Sequence, residues 1–181
     1  GSFMKASDMI ELLRYYRHDL MNQLQMIHGY LTIGHLDKVS EKVHETIEMY
    51  EEERKLMNVQ APEFIVWLLS RKYMDDRIDF TYTIDDAKIN LANIEKVVIE
   101  DGGKIWNIIK KELDPLSVVN LHLHISTGDD FTVYLFTYSI KTVIKDVNHL
   151  KDRIANVSKH VSFLQTEKHL NFQIWYPIDE R

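Results

Sequence analysis

The stretch Arg17-His18-Asp19-Leu20-Met21-Asn22 lies inside a long helical pattern that runs from Asp8 to about Ile33. In a helix, positions three and four apart share a face. Read outward from His18, one face collects Glu11, Arg14, His18, Asn22, Gln25 and Gly29, and the opposite face collects Met9, Leu13, Tyr16, Leu20, Leu24, Ile27 and Leu31. This is the period of an amphipathic helix with His18 on its polar side. An imidazole open to water, between a cation at Arg17 and a carboxylate at Asp19, suits a nucleophile or a proton carrier. Periodicity alone favours an ordinary solvated histidine, since most exposed histidines have no chemical role.

Gly34 ends this helix. Asp37 can cap a second one, running to about Asn58 with apolar positions at Leu36, Val39, Val43, Ile47 and Tyr50. The run Glu51-Glu52-Glu53-Arg54-Lys55 reads as a solvated face. Two long helices with so short a connection predict an antiparallel hairpin. Each apolar stripe then meets only one neighbour and keeps a wet flank. Pairing the hairpins of two chains closes a four-helix bundle, so a homodimer through residues 8–57 is expected. The alternative is packing of the hairpin on the C-terminal half of its own chain.

The chain has 181 residues, 45% hydrophobic and 28% charged, the composition of a folded globular protein. The net charge of −6 argues against nucleic acid as a partner, since phosphate binding needs a basic surface. The absence of cysteine excludes disulfides, thiolate metal sites and a Cys nucleophile. No apolar run approaches the roughly 20 residues of a membrane span. No membrane association and a cytoplasmic location are the simplest expectations.

Pro62 opens a third helix, Glu63 to about Asp75. Ile78 to Ile84 alternates as a strand. A helix is expected from Leu91 to Leu113 with Gly102-Gly103 in its middle, then strands Val118–Ile125 and Phe131–Tyr138 around a Gly128-Asp129-Asp130 loop. A helix Val147–Val157 and strands His160–Leu164 and Leu170–Tyr176 complete the chain. The fold class is thus α+β: residues 1–58 form the helical hairpin of a dimeric bundle, and residues 62–181 form a two-layer α/β sandwich. Consecutive strands suggest antiparallel pairing with helices on one face.

His122-x-His124 puts two imidazoles on one strand face, without an evident third metal ligand. His28, His35 and His44 read as surface or interface residues. The pairs Asp75-Asp76, Asp85-Asp86 and Asp129-Asp130 stand at element ends, where turn chemistry explains them. Trp67, Trp106 and Trp175 read as core.

The string from Arg17 to Leu31 resembles the phosphoacceptor helix of the sporulation phosphotransferase B family. The shared features are Arg17-His18-Asp19, Asn22 four residues after the histidine, Leu24 two beyond it, and Gly29-Tyr30-Leu31. Citrate-sensor-type histidine kinases are similar here. The resemblance implies a phosphorelay step: His18 takes a phosphoryl group from the phosphoaspartate of one response regulator and gives it to a second, by resemblance the sporulation regulators F and A. It implies site residues His18, Arg17, Asp19 and Asn22. No cofactor would belong to the chain itself, and Mg²⁺ would arrive on the partner regulator.

The C-terminal half resembles the ATPase domain of histidine kinases in element order. Those kinases carry an Asn-x-x-x-Asn motif; here Asn107 matches the first Asn, but Lys111 stands at the second. After Leu113 only one glycine, Gly128, is present, whereas a phosphate cradle needs several positions without Cβ. A phosphotransferase without ATP use is expected. A sensor kinase fragment that autophosphorylates, or a dimeric scaffold that is not an enzyme, are the alternatives.

Overall fold

The computed structural model describes residues 4–85, 88–164 and 169–178. The chain divides into two compact units, Gly1–Arg54 and Lys55–Arg181.

The first unit is an antiparallel hairpin of α1 (Ala6–Thr32) and α2 (Leu36–Met57). The turn follows from Gly34, whose φ of 76° is a left-handed value that a side chain would resist. The Gly34 amide donates to the Leu31 carbonyl and the His35 amide to the Tyr30 carbonyl, which satisfies the last carbonyls of α1. Helix α2 begins at Leu36, so Asp37 is not its cap; it lies in the first turn, where a carboxylate favours the helix dipole. The inward face of α1 is also rotated from the expected stripe. Leu12, Tyr16, Asp19, Leu20, Gln23, Ile27 and Tyr30 are half-buried, while Met9, Leu13, Leu24 and Leu31 remain exposed.

The last turn of α2, Lys55 to Met57, belongs to the second unit, where Leu56 is fully buried in the core. There α3 (Pro62–Met74), α4 (Glu95–Glu112) and α5 (Val147–Ala155) accompany five strands: β1 (Ile78–Ile84), β2 (Val119–Thr127), β3 (Val133–Lys141), β4 (Val161–Leu164) and β5 (Leu170–Pro177). A 3₁₀ turn at Ala92–Ile94 precedes α4, so the helix starts later than its apolar pattern suggested. The sheet order is β1-β2-β3-β5-β4. The strands consecutive in sequence, β2–β3 and β4–β5, pair antiparallel as expected, but β1 and β2 are separated by a helix. β1 and β2 run parallel, because α4 intervenes and returns the chain to the same end of the sheet. The remaining pairs are antiparallel.

One sheet face is apolar and buried: Phe80, Tyr82, Leu121, Leu123, Phe136, Tyr138, Phe172 and Ile174 point into a common core with Phe64, Leu68, Ile105, Trp106 and Ile109 of the helices. The other face is polar. One row across the strand register reads Thr83, His124, Thr137, Gln173 and Ser162. Trp106 is core, as expected, but Trp175 is half-buried on this polar face beside the His160 ring, at 3.7 Å between centroids.

Gly102 and Gly103 do not break α4. A Cβ on Gly102 would come within 2.5 Å of the Trp67 ring, whereas one on Gly103 would meet nothing within 4 Å. Gly102 therefore admits the indole and Gly103 is a replaceable helix glycine. We expect Gly102→Ala to lose about 1–3 kcal/mol by overpacking. Gly103→Ala should gain up to about 1 kcal/mol of helix propensity. Urea denaturation of the two variants checks both signs.

Next to Gly102, Asp101 is 5% exposed and accepts a 2.7 Å hydrogen bond from the Tyr176 hydroxyl, tying α4 to β5. Burial pushes its carboxyl above the usual range; the Tyr176 bond pulls the other way without cancelling it. A raised folded-state value means that the stabilisation by the protonated form is present in acid and fades as pH rises through that value. Asp101→Asn keeps an acceptor for Tyr176 without the buried charge. Its stability relative to the parent should rise from acid to neutral pH, as measured by denaturation across that range.

Candidate functional site

His18 lies about midway along α1, exposed. Asn22, one turn further on, places its side-chain amide nitrogen Nδ2 3.4 Å from the His18 Nδ1. The amide can turn either its nitrogen or its oxygen to the ring. With the oxygen inward it accepts from Nδ1–H, and the Nε2 lone pair is then free for attack. Among the described residues, no hydrogen bond engages Nε2. Arg14, one turn before His18 on the same face, and Arg17, directly before it in sequence, are exposed, and neither enters an ion pair with a described residue.

Asp19 departs from the sequence expectation. It is half-buried, and its charge acts on Tyr50 of α2. The geometry therefore gives the ring-orienting contact to Asn22, and turns Asp19 toward the seam between the helices. That seam holds a polar cluster that periodicity did not reveal. The Tyr16 and Tyr50 rings lie 6.3 Å apart between centroids, inclined by 58°. Tyr16 hydrogen-bonds with Glu53 and with Tyr50. Glu53 is 5% exposed, although it sits in a run of charges that reads as solvated. Burial, and then the Glu53 carboxylate, push the Tyr16 hydroxyl well above the ordinary tyrosine range. Tyr50 and Glu53 are three residues apart on the inward period of Val39, Thr46 and Tyr50, and that spacing was the available signal.

In the second unit, Asn107 and Lys111 are both exposed, one turn apart on α4. His122 and His124 do share one sheet face. His122 is hydrogen-bonded to Thr81 and Thr83, and His124 to Thr83 with its Nε2 3.2 Å from Asp85. Among the described residues no three His, Asp or Glu side chains converge as a metal site. Asp75 and Asp130 accept backbone amides two residues on, from Arg77 and Thr132, which is turn chemistry. Asp86 lies outside the described residues. No helix among the described residues is long and apolar enough to cross a membrane.

A helical hairpin with an exposed histidine, followed by helices on one face of a mixed sheet, defines a class. Residues 1–59 match the family described as the Sensor_kinase_SpoOB-type alpha-helical domain. Sporulation initiation phosphotransferase B of Bacillus subtilis (strain 168) is 35% identical over 122 residues, 67% of this chain and 64% of the relative's length. Both matches support the sporulation initiation phosphotransferase B family for this chain. It spans less than two thirds of that relative. Among solved structures, a blue-light activated histidine kinase of Erythrobacter litoralis EL346 matches with TM-score 0.46 and 10% identity, over 98% of this chain and 61% of that one. The histidine kinase ThkA in complex with response regulator protein TrrA matches with TM-score 0.43 and 14% identity, over 92% of this chain and 61% of that one.

Proposed function

We propose that this chain is a histidine phosphotransferase of a phosphorelay. His18 accepts a phosphoryl group from a response-regulator aspartate and passes it to a second regulator, the pair being the sporulation regulators F and A that the family implies. The observation that carries this reading is the exposed His18 ring, held through Nδ1 by Asn22 with Nε2 unengaged.

Phosphoryl transfer is mostly in-line positioning and charge stabilisation. The Nε2 lone pair forms the new P–N bond as the bond from phosphorus to the regulator's carboxylate oxygen breaks. The carboxylate leaves with that electron pair. With the Asn22 amide turned so that its oxygen faces the ring, the Nδ1 proton stays on the ring, and the imidazole needs no external base. Arg14 and Arg17 are the cations close enough in sequence to face the phosphoryl oxygens with charge-assisted donors. The Mg²⁺ that such chemistry uses belongs to the partner regulator; this chain's own contribution is the nucleophile, its tautomer and the flanking charge.

A homodimer completes the docking surface in this reading. Met9, Leu13, Leu24 and Leu31 on α1, with Leu36, Val43 and Ile47 on α2, are exposed large apolar side chains along one hairpin. A second hairpin laid on those stripes would bury them in a four-helix bundle.

Incubation with a radiolabelled phosphorylated response regulator tests the proposal: label should move to the chain in an acid-labile, base-stable form. The kinase alternative predicts nucleotide binding. With Lys111 in place of the second motif asparagine, we expect calorimetry with Mg·ATP to show no heat of binding at millimolar nucleotide. A micromolar dissociation constant would restore autophosphorylation as the reading.

A further inference from the structure

Gln23 and Thr46 are half-buried in the hairpin seam, but its most deeply buried acid, Glu53, meets Tyr16 close to the level of His18. Tyr16 precedes His18 by two residues and Asp19 follows it directly, a spread of about 4.5 Å along the helix axis at 1.5 Å per residue. Across the seam stand Tyr50 and Glu53. A carboxylate that is 5% exposed is costly in a helix pair unless it is hydrogen-bonded. Tyr16 supplies that bond, and Tyr50 bridges between Tyr16 and the charge of Asp19. An apolar seam of similar side chains can slip or rotate by part of a turn at little cost. A hydrogen-bonded acid–tyrosine pair cannot, because slippage strands the acid. Fixing register is the best-attested use of a polar group in such a seam.

We propose that Tyr16 and Glu53 are positioning residues that lock the rotation and height of α1 against α2. This lock presents the His18 ring outward with its Asn22 contact intact. The inference deepens the phosphoacceptor reading of His18 and rests on it. Neither residue touches the phosphoryl group; both act through the backbone of α1, within one turn of the nucleophile.

The test uses Tyr16→Phe/Glu53→Leu in this chain, which removes the hydrogen-bonded acid–tyrosine pair, beside Glu53→Gln, which keeps an acceptor for the Tyr16 hydroxyl. Three quantities are read for each: the denaturation midpoint, the initial rate of label transfer from a phosphorylated regulator, and the imidazole nitrogen spectrum of His18. The apolar double variant should keep or raise the midpoint, because apolar replacement of a buried polar set is often neutral or stabilising. Its transfer rate should nevertheless fall about tenfold or more, and its His18 nitrogens should lose their tautomer preference. Glu53→Gln should stay within about twofold of the parent in rate, with an unchanged spectrum. A double variant with parental rate and spectrum overturns the proposal, and so does a Glu53→Gln that loses as much as the double variant. If the double variant does not fold, Tyr16→Phe alone is compared with Glu53→Gln by the same criteria. If the parent itself takes no label, the phosphoacceptor reading fails, and the His18 spectra still decide whether the lock orients the ring.

Discussion

His18→Gln should take no label from a phosphorylated response regulator while its secondary structure, denaturation midpoint and sedimentation stay those of the parent. The amide of glutamine has no nucleophilic ring nitrogen, so the loss is complete to background. His18 is exposed, and the one contact that the substitution removes is a 3.4 Å approach to Asn22 on the same helix face, so the cost in stability should stay within about 0.5 kcal/mol. Asn22→Ala should give a smaller effect, because it releases the ring without removing the nucleophile. A decrease of about tenfold in transfer rate with the acceptor still labelled to completion would mark Asn22 as an orienting residue. Persistent full labelling of His18→Gln would move the acceptor to another residue.

Leu24→Asp should convert the dimer to monomer or aggregate on sedimentation and abolish transfer although His18 is untouched. Leu24 is 48% exposed within one chain, and Leu20 is half-buried against the hairpin seam. The difference separates their roles: Leu20 packs in the seam, whereas Leu24 faces outward, where the proposed second hairpin would lie. Removing a buried Leu side chain costs roughly 2–5 kcal/mol, and burying a charge in its place adds to that. Because Leu24 lies outside the seam, the isolated hairpin should still form, and circular dichroism should show retained helix. A Leu24→Asp protein that stays dimeric and active would place the interface elsewhere.

The hairpin was legible because its signals are local: an unbroken helical period in α1, Gly34 at the turn and a second period in α2. The strands were legible to within a few residues because alternation survives one-sided burial, as Ile78, Phe80, Tyr82 and Ile84 facing inward in β1 illustrate. What escaped depends on pairs distant in sequence. The parallel β1–β2 contact is decided by where α4 returns the chain, which no local pattern records. The inward rotation of α1 was misplaced by part of a turn, because Met9, Leu13, Leu24 and Leu31 are as apolar as seam residues while facing outward. Composition cannot separate a seam from a second interface on the same helix. The same ambiguity hid Glu53, whose five-residue charge run masked an inward position. At the site, the placement of Arg14, His18 and Asn22 on one face followed from spacing. The turn of Asp19 toward Tyr50 required the opposite helix.

The polar face of the sheet also limits how the molecule can grow. The row of Thr83, His124, Thr137, Gln173 and Ser162 across the outer sheet face gives little drive to stack on the sheet of a neighbour, since Thr83 bonds His124 and Gln173 bonds Thr137. Exposed large apolar side chains follow one another along the hairpin helices, whereas Leu116, Val118, Phe131 and Val143 of the second unit stand in its loops. Self-association of copies at high concentration would then be steered toward closed pairs, and away from open-ended stacks of the kind that precipitate.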